Sequence, residues 1–231
     1  MWLLDSNFFL FVFLPSLVIG MLAQGMVKGA ISKYSHVPAS SGLTGAQAAH
    51  EMLRAAGLDR RVGIERVSGF LSDHYDPRKK VLRLSPQIHD ERSIAAIGVA
   101  CHEAGHAVQD AKNYAPLVLR NAIVPTAGLG SNLGMILIVV GFFLNWTGLA
   151  LVGLVLFGVV VVFQLVNLPV EFNASTRAKQ MVTQLGLVHG PQETAGVSRV
   201  LNAAAMTYVA ATITAILHLL YYAMLIFGRR D

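Results

Sequence analysis

The residues best suited to chemistry in this chain are His102-Glu103-Ala104-Gly105-His106. A helix advances about 100° per residue, so His102 and His106 project two imidazoles from one face, a turn apart. That is the spacing with which two histidines hold a tetrahedral zinc ion. Glu103 falls beside that face, where it can act as general base on a zinc-bound water without being a ligand. The bland alternative is a pair of surface histidines on an ordinary amphipathic helix. It leaves unexplained a glutamate at the functional offset between histidines at the ligand spacing.

The element that must present these groups is a helix, and Ser93 to Lys112 has the pattern of one. Ile94, Ile97, Cys101 and Val108 form an apolar stripe roughly 130° from the histidines, so the imidazoles avoid that stripe. Asp90 and Glu91 precede the helix, at the positive end of its dipole. Cys101 is the only cysteine, so no intrachain disulfide is possible. It turns into the apolar stripe, which predicts a small core residue and not a thiolate ligand.

Two histidines leave a zinc ion short of ligands, since a catalytic zinc usually takes three protein groups and water. No histidine follows His106 until His189, so a short downstream turn cannot supply the third. A carboxylate from another helix is the alternative, and Glu171 is the best placed because it emerges where a long apolar run ends. It would complete a His₂Glu set. Glu193 and Asp110 compete, and Asp110, one turn past His106, could instead orient a histidine. Glu171 could also serve only its own helix dipole.

Composition places these groups in an unusual setting. Hydrophobic residues make up 54% and charged residues 13%, too few polar groups to cover a soluble globule of 231 residues. Four apolar runs, about Phe8–Val27, Thr126–Leu144, Leu149–Leu168 and Ala203–Phe227, each approach the ~20 residues needed to cross a bilayer. None contains Lys, Arg, Asp or Glu. The chain is expected to be a multi-pass membrane protein. The first run lacks a basic flank and reads as a retained anchor, not a cleaved signal.

The net charge of +5 does not point to nucleic acid. Of 18 Lys and Arg, 16 lie between the first and second runs or between the third and fourth, and only Arg229-Arg230 lie beyond the last. Four crossings put those two polar regions on one side. The positive-inside tendency makes that side cytoplasmic, and the expected location is the plasma membrane, with the bilayer as partner.

The polar regions carry their own signals. Thr44 with Gln47 is a capping-box pattern opening a helix to Ala56, stopped by Gly57. Val62–Val67 is a weak strand. Phe70–Tyr75 and Val81–Leu84 read as a β-hairpin around an Asp76-Pro77 turn, immediately before the histidine helix. Ser85-Pro86 opens a short helix. Pro169 is expected to start a separate polar helix, Val170 to Leu185, ended by Gly186. The expected organisation is a first transmembrane helix (1–28), a cytoplasmic region with the histidine helix (29–124), a transmembrane hairpin (125–168), a cytoplasmic helix carrying Glu171 (169–202), and a fourth transmembrane helix (203–231). His218, inside the last run, is expected to have a structural, hydrogen-bonded role, although ionisable groups there are functional candidates.

With these motifs in hand, the chain resembles the YugP-like neutral zinc metallopeptidases of membranes, which are related to the HtpX-type membrane gluzincins. The resemblance rests on His102–His106, Asp73-His74-Tyr75-Asp76-Pro77, Leu82-Arg83-Leu84-Ser85, Leu168–Ser175 and Ala203–Val209, and extends over nearly the whole chain. It implies an α+β, mainly α architecture: four transmembrane helices with a small zincin-like domain of a short hairpin and the histidine helix. It also implies Zn²⁺ as cofactor and a third ligand, Glu171, reached after a membrane hairpin. Ser175 stands where many relatives carry aspartate.

The expected function is membrane-embedded, zinc-dependent endopeptidase activity on protein or peptide substrates associated with the membrane, in a quality-control role. Glu103 would be its general base. His74, Tyr75, Asn173 and Arg177 are candidates to stabilise the transition state or support the ligands, and the strand at Leu71–Tyr75 could pair with extended substrate. A zinc-bound scaffold without turnover is the main rival, disfavoured because a structural site needs no general base. A transporter is disfavoured because no run carries a charged residue. Ligand type also leaves room for another divalent ion.

Overall fold

The computed structural model describes residues 5–69 and 72–228. The chain is mainly helical with one three-stranded sheet. It divides into two compact units, Met1–Ala23 with Pro116–Pro169 and Thr207–Asp231, and Gln24–Ala115 with Val170–Met206.

Four helical spans among the described residues are long and apolar enough to cross a membrane. The first, Ser6–Ser35, comprises α1 (Ser6–Phe8), a π-helical turn (Phe9–Phe13) and α2 (Leu14–Ser35). The others are α6 (Ala115–Phe143), α7 (Thr147–Gln184) and α8 (Gly190–Phe227). Between them in the chain come α3 (Gly45–Ala55), β1 (Gly63–Arg66), β2 (His74–Asp76), β3 (Val81–Leu84), α4 (Pro86–Asp90) and α5 (Ile94–Ala111).

In the first unit, Ile138, Phe142, Leu154, Phe157 and Tyr221 lie in one buried cluster. Small residues set the distance between α6 and α7. A Cβ on Gly130 would come 2.4 Å from the Leu156 carbonyl oxygen, and one on Gly141 would come 2.5 Å from Ala150 N. Large apolar side chains such as Leu129, Phe143 and Val155 point outward, as lipid-facing residues do. His218 has the hydrogen-bonded position expected of it, with Nδ1 2.8 Å from the Thr214 carbonyl oxygen and its ring edge-on to Phe8. Arg229 and Arg230 lie outside the described residues.

In the second unit, Thr44 and Gln47 exchange both capping-box bonds at the start of α3. Gly57 closes α3 with a left-handed residue (φ 69°), which lets Leu58 N–H reach back to the Leu53 carbonyl. Gly186 (φ 63°) closes α7 in the same way, with Leu187 N–H donating to Val182. The sheet order is β1-β3-β2, with β2 antiparallel to β3 and β1 parallel to it. The parallel pairing is a long-range feature that local pattern does not carry.

Two expectations are corrected. The strand expected over Phe70–Tyr75 is observed at His74–Asp76. Phe70 and Leu71 lie outside the described residues, and Asp73 uses its carboxylate to accept bonds from Ser85 N (2.7 Å) and Ser85 Oγ (3.1 Å). Pro169 does not start a helix; it sits inside α7. The ring removes one N–H from the ladder, and the helix continues on either side. Nearly the whole of α5 is buried, because Ala95, Ala96, Gly98, Ala100, Ala104, Gly105 and Ala107 let neighbours close in on every side.

Candidate metal centre

The centre lies within the second unit. Ser93 opens α5 by accepting a hydrogen bond from Ala96 N–H on its side-chain oxygen (3.2 Å), and the helix then runs unbroken through His102, Glu103 and His106. Across from it, Ala174 on α7 packs against Gly105. A Cβ on Gly105 would lie 2.9 Å from the Ala174 carbonyl oxygen, so only glycine permits this approach. The close crossing brings Glu171, one turn before Ser175, onto the two histidines.

His102 Nε2 lies 3.3 Å and His106 Nε2 lies 3.5 Å from the same oxygen, Glu171 Oε2. The ligating atoms of the three residues all fall within 4.8 Å of one another. Donors about 2.1 Å from a tetrahedral ion stand about 3.4 Å apart, so the two distances to Glu171 suit a zinc site. His102, Glu103 and His106 retain 9, 8 and 7% of their exposure and Glu171 only 3%, which makes this a largely dry site.

The far side of each imidazole is also engaged. Gln109, fully buried, donates its amide hydrogens to Val170 O (2.8 Å) and Asn173 Oδ1 (3.0 Å). Its oxygen is left to accept from His106 Nδ1–H at 2.9 Å. That arrangement places the proton on Nδ1 and leaves the Nε2 lone pair facing Glu171. Ser175 Oγ stands 3.2 Å from His102 Nδ1 and can do the same there.

Electrostatics follow from this enclosure. Burial alone pulls the His106 imidazole down, but the Glu171 carboxylate and the Glu103 charge outweigh it, and His106 titrates above the usual histidine range. Burial pushes the Cys101 thiol up to about 12, so it is an inert core group. Glu103 accepts no hydrogen bond among the described residues although it is buried.

The other candidates divide. Asn173 belongs to the cluster, accepting from Gln109 and from Arg177 Nε (2.7 Å), so Arg177 connects to His106 through two side chains. Tyr75 donates to Asp110 Oδ2 at 2.7 Å, and burial together with that carboxylate raises its phenol above the ordinary range. Asp110 is also paired with Lys80, and Glu193 bonds Ser40 and the His189 backbone, so both rival carboxylates have other partners. His74 is exposed, with Nδ1 2.8 Å from the Ser72 carbonyl oxygen. Gln109 was missed by the sequence reading. The available signal was a lone amide at i+3 from a ligand histidine, on a helix otherwise made of small and apolar residues.

Comparison with known proteins points to a zinc metallopeptidase family. The family described as "Putative neutral zinc metallopeptidase" matches residues 9–227. A protein of Bacillus subtilis (strain 168) called "Putative membrane protease YugP" is 44% identical over 223 residues, 96% of this chain and 98% of that protein. No solved structure shows a significant match.

Proposed function

This chain belongs to that zinc metallopeptidase family and is a multi-pass membrane protein, and from this premise we propose that it is a gluzincin-type endopeptidase acting on polypeptides at the cytoplasmic face of the membrane. His102, His106 and Glu171 would hold the zinc, which when bound supplies a Lewis acid able to acidify water and polarise a carbonyl. Glu103 takes the proton of the attacking water on its free carboxylate and returns it to the leaving amine. Gln109 and Ser175 hold the imidazoles with Nε2 forward, and Asn173 and Arg177 brace Gln109.

The single observation that carries this reading is the convergence of His102, His106 and Glu171 beside a buried glutamate that bonds to nothing in the described residues. The edge position of β2 supports a second element, an extended substrate added as a fourth strand alongside His74–Asp76. The concentration of Lys and Arg in the two polar regions supports a cytoplasmic site, and the membrane setting favours membrane-associated polypeptides as substrates.

The test compares purified protein with its Glu103→Gln variant, each loaded with zinc, on an unfolded membrane-protein substrate. Cleavage by the parent and a loss of about 10²–10⁴-fold in the variant at equal zinc content is expected. Equal cleavage by both, or none by either with zinc bound, would remove the peptidase reading.

A further inference from the structure

A second site lies in the same unit. The C-terminal ends of α3 and α5 and the Arg177–Met181 stretch of α7 enclose an open groove of about 580 Å³. Three cations line it, Arg61, Lys112 and Arg177, and among the described residues none has an ion-pair partner and no acidic side chain lines the groove. The floor is apolar, formed by buried Met52 and Val108. The rim is small: Ala55, Gly57 and Ala111 are exposed there and leave room for a polypeptide backbone to lie close.

Arg177 is the ordered member. Its Nε donates to Asn173 Oδ1 at 2.7 Å, which holds the guanidinium plane and leaves its terminal nitrogens without a partner in the described residues. A fork fixed in that way matches a carboxylate bidentately. Lys112 also suits the C-terminal end of α5, where a cation offsets the helix dipole, but that role needs neither Arg61 nor Arg177.

We propose that this groove is an exosite for acidic segments of a polypeptide substrate, with Arg177 reading one carboxylate and Arg61 and Lys112 neighbouring ones. The proposal rests on the peptidase reading for its ligand. A polypeptide fits better than an anionic lipid because the groove is open and rimmed by small residues, whereas an acyl chain needs an enclosed apolar slot. Binding there would recruit acidic stretches to the enzyme without touching the reacting atoms.

The test uses full-length Glu103→Gln protein in zwitterionic detergent. Fluorescence anisotropy is read with a labelled peptide containing three glutamates and a matched peptide containing glutamines. At least tenfold tighter binding of the glutamate peptide is expected, weakening with salt. The Arg61→Gln/Lys112→Gln variant should bring the two peptides together, and Arg61→Glu/Lys112→Glu should favour a lysine peptide. Both sites are exposed, so the fold is kept. Equal binding of both peptides by the parent, or an unchanged preference in both variants, would overturn the exosite. So would loss of the preference in phosphatidylglycerol nanodiscs but not in phosphatidylcholine ones, which would assign the groove to lipid. Because binding is read without turnover, retained glutamate preference with no hydrolysis by the parent would remove the peptidase reading alone.

Discussion

Gly105 and Ala174 meet so closely that the added methyl of an alanine at 105 would sit 2.9 Å from the Ala174 carbonyl oxygen and 3.3 Å from its Cα. Both obstacles are backbone, so neither can swing aside. This contact sets how near α5 and α7 approach, and therefore whether Glu171 can stand 3.3 and 3.5 Å from the two imidazoles. Gly105→Ala is predicted to cost about 1–3 kcal/mol through overpacking. Zinc affinity should fall with it. Thermal unfolding in detergent and zinc content after dialysis are the measurements; unchanged values would mean that α7 is positioned by other contacts.

Gln109→Leu tests the support behind His106. It leaves the core filled but takes away the acceptor that holds Nδ1–H and the amide donor to Val170 and Asn173, of which Asn173 keeps its bond from Arg177. Loss of an outer hydrogen bond to a ligand histidine typically costs 10–100-fold in metal affinity. Competition against a zinc chelator should show that loss. A Gln109→Glu variant, which retains an acceptor oxygen, should recover part of it.

Glu171→Ala addresses the third ligand. Removing the carboxylate leaves two imidazoles, and the zinc content of the purified protein is predicted to fall below one-tenth of the parent value. Far-ultraviolet circular dichroism should be nearly unchanged, because the cluster around Met52, Leu82, Ile97 and Val197 does not include Glu171. Full zinc occupancy would remove Glu171 from the ligand set.

Asp76 yields a pH prediction. Bonds from the Lys79 and Arg78 backbone N–H groups and from Arg83 lower its pKa to about 2, below its ordinary 3.8. A depressed folded value means that the stabilisation is fully present above pH ~4 and is lost as pH falls through about 2. Acid unfolding of the parent should therefore steepen in that window. Asp76→Asn should flatten the dependence there and weaken the β2–β3 turn at neutral pH; identical acid profiles would show that the turn is held without the charge.

How much of this was legible in the sequence follows from the range of each signal. The i, i+4 histidines, the capping box at Thr44, the stops at Gly57 and Gly186 and the four apolar runs are local, and helical geometry or bilayer thickness gives each a direct meaning. The proximity of Glu171 to the histidines could be argued from chain order, but the sequence left Asp110 and Glu193 as rivals. Tertiary structure separates them by partner, giving Asp110 to Tyr75 and Lys80 and Glu193 to Ser40.

Other features were not legible at all. Periodicity placed the imidazoles away from the apolar stripe but could not show that packing buries the helix nearly all round. Residue type signals hydrophobicity, and small residues signal little of it while permitting the closest contacts. Pro169 reads locally as a break because it lacks a donor, yet a helix can lose one bond and continue. By itself the sequence determined which groups can do chemistry and that they travel with membrane helices. Which carboxylate meets the imidazoles, and that Gln109 turns His106 to face it, only the tertiary structure decided, because both depend on the separation and rotation of two helices that meet through a glycine and an alanine far apart in the chain.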